Sequence, residues 1–217
     1  MARGSGVVTS YAEPPRLPDG DVVDLEAFLG DGGPIELVIG PGRGGFVLDR
    51  SAACPDQRLL GIEIRRKWAC IVDARLGGAD RHPRARVVCE DARAALARLG
   101  PDRSVARVFI HFPDPWWKKR HRKRIVIGDP LVTEITRLLT PGGELFVQTD
   151  VPERAADYRQ LLDGQPGLVS AGHGPDSPEL AANPYGVLSN RERRADEDGL
   201  PVVRLRYRRP PEDEARS

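Results

Sequence analysis

The stretch PIELVIGPGRGG, residues 34–45, decides how the rest of the chain is read. PIELVIG (34–40) is a short apolar run that ends at a glycine, which reads as a buried strand. The turn Gly40-Pro41-Gly42-Arg43-Gly44-Gly45 follows directly. Glycines permit a tight turn and let the backbone approach a ligand closely. Working outward, residues 44–53 read as a helix, QRLLGIEI (57–64) as a second strand, and 65–76 as a helix with Trp68, Ile71, Val72 and Leu76 on one side. RARVVCE (84–90) is a third strand and DARAALARL (91–99) a third helix. VARVFIHF (105–112) is a fourth strand and 129–139 a helix. Thr140-Pro141-Gly142-Gly143 then stops the chain before GELFVQT (143–149), a fifth strand. Strands alternating with helices predict an α/β fold: a parallel central sheet with helices on both faces. A last helix (152–162), a proline- and glycine-broken stretch (163–188) and an alternating strand, VVRLRYR (202–208), follow. That final strand suits a C-terminal antiparallel addition.

Composition sets the outer bounds. The chain has 217 residues, 40% hydrophobic and 30% charged, which fits one large packed domain and excludes global disorder. No stretch reaches the ~18 apolar residues of a membrane span, and the N-terminus shows no secretory signal. Three cysteines, Cys54, Cys70 and Cys89, have no C-x-x-C spacing, so the expectation is a reducing cytoplasm without disulfides or structural zinc. Residues 1–34 are rich in Pro, Gly and Asp and read as a loosely structured lead-in with one short helix. Residues 35–210 form the main domain, and 211–217 an acidic tail. Net charge is only +1, yet residues 118–124, KKRHRKR, hold six Lys/Arg in seven. A balanced protein has concentrated its positive charge in one place.

In sheets of this kind ligands bind beyond the carboxyl ends of the strands. The residues there carry the chemistry. Gly40, Gly42 and Gly44 satisfy G-x-G-x-G, which suits S-adenosylmethionine, and Gly40, Gly42 and Gly45 satisfy G-x-G-x-x-G, which suits a dinucleotide. Glu63 ends the second strand, where an acid accepts from both ribose hydroxyls of an adenosine. Asp91 follows the third strand, either beside an adenine ring or as a helix cap. After the fourth strand comes FPDPWWKKRHRKR (112–124). Two prolines bracket Asp114 and fix its carboxylate, while aromatics beside cations suit bases and phosphates of a nucleic acid. Asp150 ends the fifth strand. Asp114 and Asp150 could hold the N1–H and 2-amino donors of a guanine, or a divalent metal. No further acid or histidine is spaced to complete a metal site, so no metal is expected. His82, His111, His121 and His173 are scattered and read as structural or as part of the basic patch.

FPDPWWKKRHRKR, the glycine loop before it and TPGGELFVQTD (140–150) after it resemble the bacterial tRNA (guanine-N7-)-methyltransferases. The resemblance runs from about residue 35 to 208 and is densest at 108–150. It implies a Rossmann-like class I methyltransferase fold, S-adenosylmethionine as cofactor and tRNA as partner, with methylation at N7 of guanine 46 in the variable loop. It further implies cofactor contacts at the glycines, Glu63, Asp91 and Asp114, the last also the catalytic residue. Lys118, Asp150, Ser189 and Glu192 would contact substrate, the last two matching the family's T-x-x-E. Lys119, Arg120, Arg122, Lys123 and Arg124 would bind the RNA backbone. One departure stands out. The family places an acid two residues before the first glycine, where this chain has Val38. Glu36 lies about 6.6 Å further back along the strand. Two other functions fit parts of the sequence. An NAD-dependent oxidoreductase would use the glycine loop and Glu63 but leaves 112–124 unexplained. A non-catalytic RNA-binding protein on the same scaffold would account for Val38.

Overall fold

The computed structural model describes residues 11, 13–113, 127–174 and 176–212. Asp114, Lys118, Lys119, Arg120, Arg122, Lys123 and Arg124 lie outside the described residues. In chain order the elements are β1 (Val23–Asp24), α1 (Leu25–Leu29), β2 (Ile35–Ile39), α2 (Gly45–Ala53), β3 (Arg58–Ile62), α3 (Arg66–Gly78), β4 (Ala85–Val88), α4 (Ala92–Arg98), β5 (Leu99–Gly100), β6 (Val105–His111), α5 (Asp129–Leu138), β7 (Leu139–Thr149), α6 (Pro152–Asp163), β8 (Val169–Ser170), α7 (Asn190–Glu197) and β9 (Val203–Arg208). Seven strands make one sheet in the order β4-β3-β2-β6-β7-β9-β8. The first five are parallel, and β9 runs antiparallel to both β7 and β8. The chain reverses its direction of travel across the sheet between β2 and β6, so the switch point falls beyond Ile39 and His111.

β2 is buried at all five positions because both faces of the sheet are covered. Alternate residues feed two cores. Leu37, Ile39, Val108, Ile110, Leu145 and Val147 join one. Val38, Phe109 and Phe146 join the other, against Phe46, Val47 and Val72 of the helices. Each such side chain, fully buried, contributes ~1.5–3 kcal/mol. The segment before β2 is part of this packing. Leu17, Val23, Leu25 and Leu29 are buried in the first core. Asp24 caps α1 by accepting from the backbone N–H groups of Glu26 and Ala27 at 2.8 and 3.1 Å. The Pro15 carbonyl accepts the Cys89 N–H at 2.7 Å, so this segment lies along the end of β4.

Two local readings change. The apolar stripe of α3 is Ala69, Val72 and Leu76, with Ile71 half-buried. Trp68 sits at its margin, with the cations of Arg43 and Lys67 at 5.4 and 5.6 Å from its ring. Thr140–Gly143 does not end one element and start another. β7 begins at Leu139, opposite Val105, and the TPGG residues are taken up as a register shift before the Arg107–Glu144 pair. Gly142, at φ +76°, permits that bulge. Among the described residues no helix is long and apolar enough to cross a membrane.

Candidate active site

The glycine loop turns through left-handed backbone at Gly40, Gly42 and Gly44, with φ of +68°, +58° and +77°. These glycines serve different ends. A Cβ on Gly44 would lie 2.5 Å from both methyl groups of Val72, so Gly44 lets α2 approach α3. A Cβ on Gly40 would meet nothing within 4 Å. The space beside Gly40 belongs to a cleft of about 1020 Å³ at the switch point. Pocket sizes of ~300–1,000 Å³ are typical for cofactors and small ligands.

Glu63 stands directly behind this loop and is 2% exposed. Its Oε2 accepts the Gly42 N–H at 2.8 Å. Its Oε1 accepts the Arg65 N–H at 2.8 Å and the Arg65 guanidinium at 3.2 Å. The carboxylate therefore holds the loop in place through Gly42 and Arg65, and it is not among the described residues that line the cleft. The next residue, Ile64, is 66% exposed, an apolar face beside that carboxylate. An open glycine cradle, a strand-end carboxylate and an adjoining apolar face fit S-adenosylmethionine. Asp91 takes the helix-cap reading. It accepts the Arg93 N–H at 3.0 Å and pairs with the Arg93 guanidinium at 2.7 Å, which holds its pKa below the usual carboxylate range. It is not among the described residues that line the cleft.

The opposite wall comes from the ends of β6 and β7 and the start of α7. His111, Phe112 and Pro113 line it, and lead to Asp114. Asp150 and Ser189 line it as well, with Asn190 and Arg191. Asp150 is paired with Arg191. Asn190 Oδ1 accepts the Gly45 N–H at 2.8 Å, tying α7 to the glycine loop. Ser189 and Glu192 form a reciprocal capping box at the start of α7. The structure thus brings Gly40, Gly42, Asp150 and Ser189 to one cleft, with Glu63 behind the loop. It does not bring the Glu192 carboxylate there. Glu192 is fully buried and accepts from Gln148 Nε2 at 2.9 Å, Asn183 Nδ2 at 3.0 Å and Arg204 at 3.1 Å. It stands behind the wall, bonded to Gln148 and, through the capping box, to the cleft residue Ser189.

His111 reads from the sequence as structural or as part of the basic patch, and the structure places it among the residues that line the cleft. It is a cleft residue whose Nδ1 lies 2.7 Å from Gln148 Nε2. Its ring sits 4.3 Å from that of Phe46. Burial pushes its pKa down from 6.5 to about 3, so it is neutral. Nothing in the sequence near position 111 signals this, because the partners come from β7 and α7. Val38 is fully buried in the second core, away from the cleft. Glu36 is committed to Arg50 at 2.7 Å and Arg107 at 2.9 Å, and so does not replace the missing acid.

A glycine-cornered cleft at the switch point of a parallel sheet, with an antiparallel strand closing its far side, defines a class I methyltransferase. Comparison with known proteins agrees. A family model described as putative methyltransferase matches residues 33–205. The tRNA (guanine-N(7)-)-methyltransferase of Myxococcus xanthus is 35% identical over 86% of this chain and 89% of its own. That of Anaeromyxobacter dehalogenans is 40% identical over 84% of this chain and 90% of its own. Among solved structures, the 16S rRNA methyltransferase KamB shares the fold with a TM-score of 0.58 at 17% identity, over 86% of this chain and 91% of that one. The chain belongs to the tRNA (guanine-N(7)-)-methyltransferase family. The methyl donor of the family is S-adenosylmethionine.

Proposed function

We propose that this protein transfers a methyl group from S-adenosylmethionine to N7 of a guanine in tRNA, guanine 46 of the variable loop. The observation that carries the reading is the meeting of the glycine loop, Asp150 and the segment leading to Asp114 at one cleft. Residues 35–210 are the catalytic domain in this reading, with Leu17, Val23, Leu25 and Leu29 of the lead-in packed into its core.

The cofactor supplies an electrophilic methyl carbon on a sulfonium. Guanine N7 has a lone pair and no proton, so no general base is needed. The methyl that the cofactor would supply would pass to this lone pair, and the bonding pair of the broken carbon–sulfur bond would leave with sulfur. The protein's work is to hold the acceptor in line at near-contact distance. Positive charge arises on the guanine ring as the bond forms. A carboxylate on the N1–H and 2-amino edge is then attracted more strongly than in the ground state, which stabilises the transition state. Asp114 takes that role, with Asp150 positioning the base once Arg191 releases it. Lys118 and Ser189 contact the substrate, and Lys119, Arg120, Arg122, Lys123 and Arg124 bind phosphates. Asp114→Asn is expected to keep the fold and lose ~10²–10³ in turnover. Normal turnover in that variant sinks the assignment. Replacing the six basic residues of 118–124 together is expected to flatten the salt dependence of tRNA binding without changing cofactor binding.

The test is direct. Purified protein is incubated with unmodified tRNA transcript and methyl-labelled S-adenosylmethionine, and N7-methylguanine is mapped by chain cleavage. Label at the variable-loop guanine is expected. Bound tRNA with no label would favour the non-catalytic reading that Val38 suggests.

A further inference from the structure

Among the described residues, two polar atoms at this end of the sheet are left unanswered by the fold, His111 Nε2 and Gln148 Oε1, and His111 is the one of the two residues that lines the cleft. His111 Nε2 is buried and without a hydrogen-bond partner among the described residues. Buried polar groups are paired in the great majority of cases, so an orphan at the wall of a site requires a reason.

The proton on His111 can be assigned from the neighbours. Glu192 is a carboxylate paired with Arg204, and it can only accept. Gln148 must therefore turn its amide nitrogen towards Glu192, at 2.9 Å. The same nitrogen lies 2.7 Å from His111 Nδ1 and donates to it. Reversing the amide would set its oxygen against the Glu192 carboxylate. Nδ1 is thus the acceptor, and the neutral ring carries its proton on Nε2. The ring cannot turn freely to find another partner, because Phe46 lies 4.3 Å from it, Phe109 5.8 Å and Phe146 6.0 Å away. The chain Arg204–Glu192–Gln148–His111 holds a single buried N–H donor on a residue that lines the cleft, three residues before Asp114.

We infer that His111 is a specificity residue whose Nε2–H donates to O6 of the target guanine. This rests on the proposed guanine-N7 reaction. Guanine carries O6 beside N7 as an acceptor, where adenine carries an amino donor. A fixed donor at that place accepts guanine and repels adenine. The carboxylates of Asp114 and Asp150 read the N1–H and 2-amino edge, and His111 reads the remaining exocyclic atom. Glu192 is then a positioning residue. It acts on the base through Gln148 and His111.

The test pairs enzyme variants with altered bases. tRNA is assembled with guanine, inosine or 2-aminopurine at the target position. Inosine keeps O6 and lacks the 2-amino group. 2-Aminopurine keeps N7 and the 2-amino group and has hydrogen in place of O6. It also lacks N1–H, a loss common to every enzyme variant, so it cancels in the comparison. Rates of N7 methylation are measured for the wild-type chain, His111→Phe and His111→Gln. Phe suits the aromatic surroundings, and Gln restores an N–H donor. The expected result is a ~10–100-fold fall in kcat/KM for His111→Phe on guanine and inosine, and no further fall on 2-aminopurine. His111→Gln recovers part of the loss on guanine. An equal fall on all three bases would show a structural role and overturn the inference, as would no fall on any. If the wild-type chain labels no guanine in tRNA, the proposed function fails first, and that result is visible before any variant is made.

Discussion

At the amino end of the sheet, Glu36, Arg107 and Glu144 sit opposite one another on β2, β6 and β7. At the carboxyl end of the same face, His111 and Gln148 do. Between them lies an aromatic layer of Phe46, Phe109, Phe146 and Tyr185. The lower group is closed. Glu36 takes Arg50 at 2.7 and 2.9 Å and Arg107 at 2.9 Å. Glu144 takes Arg107 and Arg206 at 3.3 Å and the Tyr185 hydroxyl at 3.2 Å. The upper group is incomplete, with His111 Nε2 and Gln148 Oε1 buried and unpaired among the described residues, and His111 lines the cleft. The same sheet face thus carries one polar network that completes itself and one that does not among the described residues. On the role proposed for His111, the difference separates groups retained for the fold from groups retained for the reaction.

The largest expected effect breaks the closed network. Glu36→Leu leaves Arg50 buried without a counter-charge, and losing one partner of a buried pair costs about 3–5 kcal/mol. Urea unfolding should show that loss, while methyl transfer per folded molecule stays unchanged. A large fall in kcat/KM at full folding would mean that the aromatic layer does not insulate the cleft from the network below.

A smaller effect is expected at the open end. Glu192→Gln removes the charge that Arg204 pairs with and weakens the capping box, at a cost of about 2 kcal/mol. It also frees Gln148 to turn its amide, so kcat/KM should fall along with stability. The two acids then differ in kind. Glu36 moves the unfolding midpoint alone, and Glu192 moves both. If Glu192→Gln loses stability only, the chain from Arg204 to His111 ends in structure.

The main strands were legible because the pattern is local, whereas their order in the sheet came only from the structure. β2, β3 and β6 are short apolar runs ending where the chain must turn, and each strand end then locates a candidate residue. Glu63 and Asp150 were found that way. The α3 stripe was misread because Trp68 counts as apolar in any periodicity, whereas here its ring supports Arg43 and Lys67. Ser189 and Glu192, which the family resemblance assigns to substrate, carry the S-x-x-E signature of a helix cap, and the structure shows that cap. His111 was beyond reach for a different reason. Its protonation state is set by Gln148, 37 positions away, and by Glu192, 44 positions beyond that. No local pattern records an arrangement that only the sheet register and α7 create.

The smallest effect isolates that histidine. In the unfolded chain its pKa is about 6.5, and in the native protein burial lowers it to about 3. Between those values the unfolded state binds the proton and the native state does not. Stability from this group is therefore complete above pH 6.5 and is lost as pH falls. One unit below the unfolded pKa, the loss is about 1.4 kcal/mol. Phenylalanine at this position cannot titrate. Urea midpoints of the wild-type chain and His111→Phe should then run apart between pH 7.5 and 5.5, with the variant gaining about 1.4 kcal/mol on the wild type at the lower pH. Every other titrating group is common to both chains and cancels. Parallel midpoints across that range would mean that His111 already takes a proton in the native state. It would then have a partner for Nε2, and the open end of the sheet face would be closed like the other.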